Sequence, residues 1–161
     1  MKGDAKVLAL LNQVLRKELT GINQYFVHSK MCQNWGYDTL AAHARHESID
    51  EMKHADKVIE RILFLEGTPN MAALDKMSIG SDVKAQLRSD LALELSALAI
   101  LRPGIETCLK AGDHATRELL EHILEEEESH VDWIEAQLHQ IDEMGYENYL
   151  TTTVGDRSKS S

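Results

Sequence analysis

Four stretches of the chain carry apolar residues at three- and four-residue steps, and this periodicity limits the fold more than any other feature. Leu8, Leu11, Leu15, Ile22 and Tyr25 mark the first, over about residues 4–36. Ala44, Val58, Ile62 and Leu65 mark the second (38–67), and Leu87, Leu91, Leu98, Leu101 and Ile105 the third (81–111). Leu120, Ile123, Ile134 and Ile141 mark the fourth (113–145). Asp or Ser opens each stretch and Gly follows three of the ends, as helix caps require. Helices this long bury their stripes against one another, so the prediction is an all-α four-helix bundle. Aromatics are only 5% of the 161 residues, with 9 Gly and 2 Pro, too few for a β-sandwich or barrel. The bundle is expected over residues 1–150, with Tyr146-Glu147-Asn148-Tyr149-Leu150 as a short fifth helix and 151–161 as a polar, mobile tail.

The connections choose the topology. Gly36-Tyr37 and Gly112 leave room only for tight reversals, so helices one and two are antiparallel, as are three and four. Between Gly67 and Gly80 runs a long segment without helical period. A helix of about 28 residues is roughly 42 Å long, and about fourteen extended residues reach about 46–50 Å. The segment can therefore cross the length of the bundle and set helix three parallel to helix two; a floppy surface loop is the alternative. Pro103-Gly104 predicts a bend in helix three and not a break, because Ile105 and Cys108 continue its stripe.

Charge narrows the partners. Lys and Arg number 17 against 27 Asp and Glu, a net charge of −10, which weighs against nucleic acid and anionic membranes and suits cations. Cys32 and Cys108 allow at most one disulfide, and no C-x-x-C offers a zinc ribbon or redox pair. Asn12, Gln13, Arg16, Lys17 and Glu18 interrupt the first apolar stretch, so neither a signal peptide nor a membrane span is expected there, and a cytoplasmic location is.

Six polar residues interrupt the four apolar stripes: Glu18 on the first, Glu51 and His54 on the second, Glu94 on the third, Glu127 and His130 on the fourth. Glu18 and Glu94, Glu51 and Glu127, and His54 and His130 are each 76 positions apart (94 − 18, 127 − 51, 130 − 54). Each half of the chain thus supplies a lone Glu and then Glu-x-x-His, which implies a pseudo-two-fold axis delivering matched groups to one point. Any one of them alone is an ordinary surface residue of a wide helix. Four ionised carboxylates in a dry core would each cost several kcal/mol, and no Lys or Arg shares the stripes. Two divalent cations would balance the four charges, and a mixed Glu/His set suits iron, manganese or zinc better than calcium or magnesium. An i, i+3 Glu and His share a helix face and can grip one metal, while a carboxylate's second oxygen reaches the next.

At these residues the chain resembles the bacterioferritins, within the ferritin-like di-iron proteins whose bundles are known for this ligand set. The resemblance runs through Met1-Lys2-Gly3-Asp4, Asn23-Gln24-Tyr25-Phe26, Glu47-Ser48-Ile49-Asp50-Glu51-Met52-Lys53-His54-Ala55-Asp56 and Arg61-Ile62-Leu63-Phe64-Leu65-Glu66-Gly67. It continues from Glu127 to Trp133 and at Glu147-Asn148-Tyr149-Leu150. It implies a ferritin-like bundle with a long crossover between helices two and three. Glu51 and Glu127 would bridge two irons, with Glu18 and His54 completing one position and Glu94 and His130 the other. This di-iron ferroxidase centre would oxidise Fe(II) with dioxygen or hydrogen peroxide, and ferric mineral would be stored in a homo-oligomeric shell of 24 subunits built from two-fold dimers. Tyr25 would support the centre, and His46 with Asp50 would face the cavity and hold an additional iron. Met52, about 100° round the helix from Glu51, would ligate a b-type haem shared between two subunits; Leu19, Ile22 and Phe26 make the second apolar patch such a dimer surface needs. Asn34, Glu66 and Asp132 match a polar entry pore, with His139 where another acid is expected. A ferredoxin-like electron donor and a co-assembling paralogous subunit are further partners that the resemblance allows.

Other readings stay open at this stage. One is a haem-free ferritin with the same ferroxidase chemistry, in which Met52 only packs. Another is a di-metal peroxidase of the rubrerythrin type, against which stands the lack of a rubredoxin-like cysteine pattern. A third is a structural subunit with an inactive centre, against which stand the six intact ligands. Mini-ferritins, whose sites lie between subunits, would not need two Glu-x-x-His pairs in one chain.

Overall fold

The computed structural model describes residues 1–155. The last part of the expected polar tail, 156–161, lies outside the described residues. Among the described residues all regular structure is helical: α1 (Ala5–Trp35), α2 (Asp38–Phe64), α3 (Val83–Lys110), α4 (His114–Met144) and the short α5 (Tyr146–Thr151). This is the four-helix bundle with a fifth helix that the sequence predicts.

Cap chemistry sets most of the boundaries. The Asp4 carboxylate accepts from the backbone N–H of Lys6 and Val7, Asp82 from Ala85, and Asp113 from Thr116. Two expectations need correction: Asp82 rather than Ser81 opens α3, and α2 starts after Tyr37 with no side-chain cap. There the backbone N–H and hydroxyl of Thr39 both donate to the carbonyl of Thr153 (3.0 and 2.9 Å). The chain beyond α5 thus holds the start of α2, and Thr153 is buried. Gly36 ends α1 in the left-handed conformation (φ 84°), a geometry glycine adopts without strain.

α1 pairs with α2, α3 with α4, and the pairs meet along the α1/α3 and α2/α4 seams. Pro103 stays inside α3. Its neighbour Gly104 is explained by contact: a Cβ there would lie 2.7 Å from Cδ1 of Leu10, so the glycine lets α1 and α3 approach.

The long connection is not a floppy loop. It lies along α1, tied to a strip of polar residues spaced four apart. Asn12 bonds Thr68 and Asn70, Arg16 and Lys17 hold Asp75 (2.7 and 2.5 Å), and the Thr20 hydroxyl accepts from the Asp75 N–H. At the far end the Gly80 N–H donates to Nε2 of buried His28 (3.1 Å), so the ring's proton sits on Nδ1 and goes to Asp90 (3.0 Å). The segment therefore runs in the direction of α1 and delivers α3 parallel to α2.

Two apolar clusters fill the interior. One gathers Leu11, Leu15, Val58, Ile62, Leu101, Leu120 and Ile123; the other gathers Cys32, Leu40, Leu87, Ile134, Ile141 and Tyr149. The helices cross the space between them at residues 18–28, 47–54, 86–94 and 127–130, where most of the buried polar groups reside. Cys32 and Cys108 are both buried and unpaired. Among the described residues no helix is long and apolar enough to cross a membrane.

Candidate metal centre

Each of the four long helices sends acid into this middle layer. Glu18 from α1, Glu51 and His54 from α2, Glu94 from α3, and Glu127 and His130 from α4 are all buried. Gly21 makes the convergence possible on the α1 side: a Cβ there would stand 3.2 Å from Cγ of Glu51, tighter than ordinary contact.

Two overlapping groups result. Nδ1 of His54 lies 3.3 Å from Glu18, 3.6 Å from Oε2 of Glu51 and 3.0 Å from Oε1 of Glu127. Nδ1 of His130 lies 3.4 Å from Glu94, 3.4 Å from Oε1 of Glu51 and 3.9 Å from Oε2 of Glu127. Glu51 and Glu127 therefore each turn one oxygen to either histidine. In both groups one ligand atom per residue falls within 4.8 Å of the others, a spacing at which a metal ion can be held.

The donor set fits cations and little else. Glu51 Oε1, Glu94 Oε2, Glu127 Oε1 and His130 Nδ1 are buried and lack a hydrogen-bond partner, a costly state unless a ligand engages them. Among the described residues no Lys or Arg pairs with any of the four acids. Crowded together, the acids hold their protons more tightly than usual. Burial, then the neighbouring charges of Glu18 and Glu94, pushes the Glu51 carboxyl well above its usual range; burial and Glu127 do the same for Glu94. Burial also raises Glu18, with Glu127 adding to it, and Glu127, with Glu51 adding to it. Burial alone would drive the proton off His54 and His130, but the acids around each ring, as acceptors and negative charges, outweigh it and raise both.

A second layer holds the ligands in place. The Tyr25 hydroxyl, kept protonated by burial and then by the charges of Glu94 and Asp90, donates to Glu94 Oε1 at 2.5 Å. The outer nitrogen of His54 meets Glu126, and that of His130 lies 2.6 Å from Glu47 and 3.7 Å from Asp50. Burial pushes the Glu47 carboxyl up, but bonds to His130 and His43 prevail and hold it down at about 2. His43 in turn stacks on Trp133, ring centroids 3.4 Å apart. Glu47 and Glu126 touch the outer nitrogens of the two histidines, contacts that ligand spacing alone does not reveal. The one signal of Glu47 in the sequence is its place four residues before Glu51 and seven before His54, on the same helix face.

The remaining candidates lie elsewhere. His46 and Asp50 sit 3.4 Å apart beside the centre, with His46 largely exposed. Met52 points away from it and is 57% exposed, near exposed Ile49 on α2; Phe26 on α1 is also exposed. Asn34, in the last turn of α1, and Glu66, just past α2, lie at opposite ends of the antiparallel α1/α2 pair, and with Asp132 and His139 they are exposed, so one chain alone does not assemble them into a pore.

A helical bundle with a long crossover and two Glu-x-x-His pairs around a shared acidic centre defines a ferritin-like protein, and the ferritin-like domain family matches residues 8–144. Bacterioferritins of Mycobacterium bovis and Mycobacterium tuberculosis are each 48% identical over 154 residues, covering 96% of this chain and 97% of theirs. That of Rhodobacter capsulatus is 45% identical over 149 residues, 92% of both chains. The chain belongs to the bacterioferritins, iron-storage members of the ferritin-like proteins.

Proposed function

We propose that the centre oxidises Fe(II), and that the chain stores the product as ferric mineral inside a shell of 24 copies. The observation that carries the reading is the division of Glu51 and Glu127 between His54 and His130, which would let two adjacent metal positions share them. Two irons held side by side supply two electrons at once, the number that converts dioxygen to peroxide or peroxide to water. Glu18 with His54 would hold one iron and Glu94 with His130 the other, while Glu51 and Glu127 bridge. Tyr25 keeps Glu94 oriented through its hydroxyl. Apolar clusters bound the layer above and below along the bundle.

Met52 is the proposed axial ligand of a b-type haem shared with a second copy across a two-fold axis. The exposed thioether and its apolar surroundings support this, because one chain offers only one such ligand on that face. His46 and Asp50 are proposed to hold an additional iron, and a ferredoxin-like protein is the proposed electron donor for release. The proposed setting is the cytoplasm.

The test is Glu94→Ala combined with His130→Ala. Rapid Fe(II) oxidation, followed optically after addition of dioxygen or peroxide, should be abolished while the shell still elutes at the mass of a 24-mer. An unchanged initial rate would overturn the assignment, and elution as a dimer would overturn the shell.

A further inference from the structure

The 76-residue repeat that relates the ligands extends outward. His46 and Asp50 have counterparts at His122 and Glu126 (122 − 46 and 126 − 50), again a histidine and an acid four apart on one helix. The counterparts also match in position. Nε2 of His122 lies 3.1 Å from Glu126 Oε1, and Glu126 Oε2 contacts the outer nitrogen of His54. Nε2 of His46 lies 3.4 Å from Asp50 Oδ2, which lies 3.7 Å from the outer nitrogen of His130. Each half thus extends the same line, surface histidine, acid, then buried histidine. Glu126 and His54 also line a groove of about 610 Å³ between α2 and α4. Four acids, Asp50, Asp56, Glu118 and Glu126, border it against Lys53 and Lys57, leaving it negative overall.

We propose that His122 and Glu126 form a second cation station, outside the di-metal centre, that passes iron along the groove to and from the position His54 serves. This rests on the di-metal reading of the six ligands. An imidazole with a carboxylate, the rest of the shell being water, suits Fe(II) and its stand-ins Co(II) and Zn(II) over magnesium. His122 is 64% exposed at its side chain and can take a cation from solvent, whereas His54 is buried. Glu126 stands between them with one oxygen for each.

Crystals of the full chain soaked in Co(II), measured for anomalous scattering, test the station. Wild type should show the two central peaks and a further one between His122 and Glu126. His122→Ala should lose that peak alone and bind one fewer Co(II) per chain by calorimetry. Refilling of the centre by Fe(II) after a first round of oxidation should slow several-fold in the same variant. A filled centre with no peak at His122, a peak that survives His122→Ala, or an unchanged refilling rate would each overturn the proposal. Absence of the central peaks as well would overturn the di-metal reading, and this proposal would fall with it.

Discussion

Glu47 places a carboxylate oxygen 2.6 Å from Nε2 of His130, on the side of the ring opposite the converging acids. A histidine held at its outer nitrogen keeps its orientation and becomes a more basic ligand at the inner one. Its counterpart by the repeat is Ile123, so the other half supports His54 from a different place, through Glu126. Glu47→Gln should weaken Co(II) binding at the His130 position by about 10–100-fold, leaving the His54 position near its wild-type affinity. A two-step calorimetric titration reads the two separately, and equal weakening of both would remove the assigned role.

Met52→Leu preserves volume and removes the thioether. The variant should purify without the visible absorption of a low-spin haem, yet oxidise Fe(II) at the wild-type rate and elute as the same shell. Haem retained at wild-type occupancy would show that Met52 is no axial ligand.

Protonation and metal compete for the same atoms. Glu18, Glu51, Glu94 and Glu127 all have raised carboxyl pKa values in the metal-free chain. A group raised on folding favours the folded state below its unfolded value and loses that contribution as pH climbs through its folded value. Metal-free protein should therefore lose stability as pH rises from about 4.5 upward. Metal removes that penalty, so the rise in melting temperature on adding Zn(II) should be larger near pH 8 than near pH 6. Binding should release protons, measured by calorimetry in buffers of different ionisation enthalpy. A metal-induced shift independent of pH would contradict this.

Gly21→Ala should gain about 0.5–1 kcal/mol of helix propensity while pressing a methyl group against Glu51, 3.2 Å from its Cγ. The bridging carboxylate has to yield by a few tenths of an ångström. We expect near-neutral thermal stability of the metal-free chain with weaker metal binding at both positions, because Glu51 serves both. Unaltered affinity would mean that the carboxylate adjusts without consequence.

The sequence made the bundle and its six inward Glu and His residues legible because both follow from repetition, apolar residues in helical register and polar groups recurring in each half. The same device hid Glu47, whose counterpart is an isoleucine, and Glu126, which sits in the acidic run Glu125 to Glu128 where spacing singles out Glu127. It also hid the role of Asn12, Arg16, Thr20, Gln24 and His28. Their four-residue spacing is as regular as any apolar stripe, but its partner is a connection without periodicity of its own. Only the fold shows that these side chains satisfy the backbone of that connection.

That strip has no equal in the other half. The repeat places Arg88, Ala92, Ser96, Ile100 and Gly104 where α1 has Asn12, Arg16, Thr20, Gln24 and His28. The helix bearing Glu18 is splinted along its length by covalently attached chain, while the helix bearing Glu94 has no such brace from this connection. Two binding places that are twins in their donors are thus unequal in mechanical compliance.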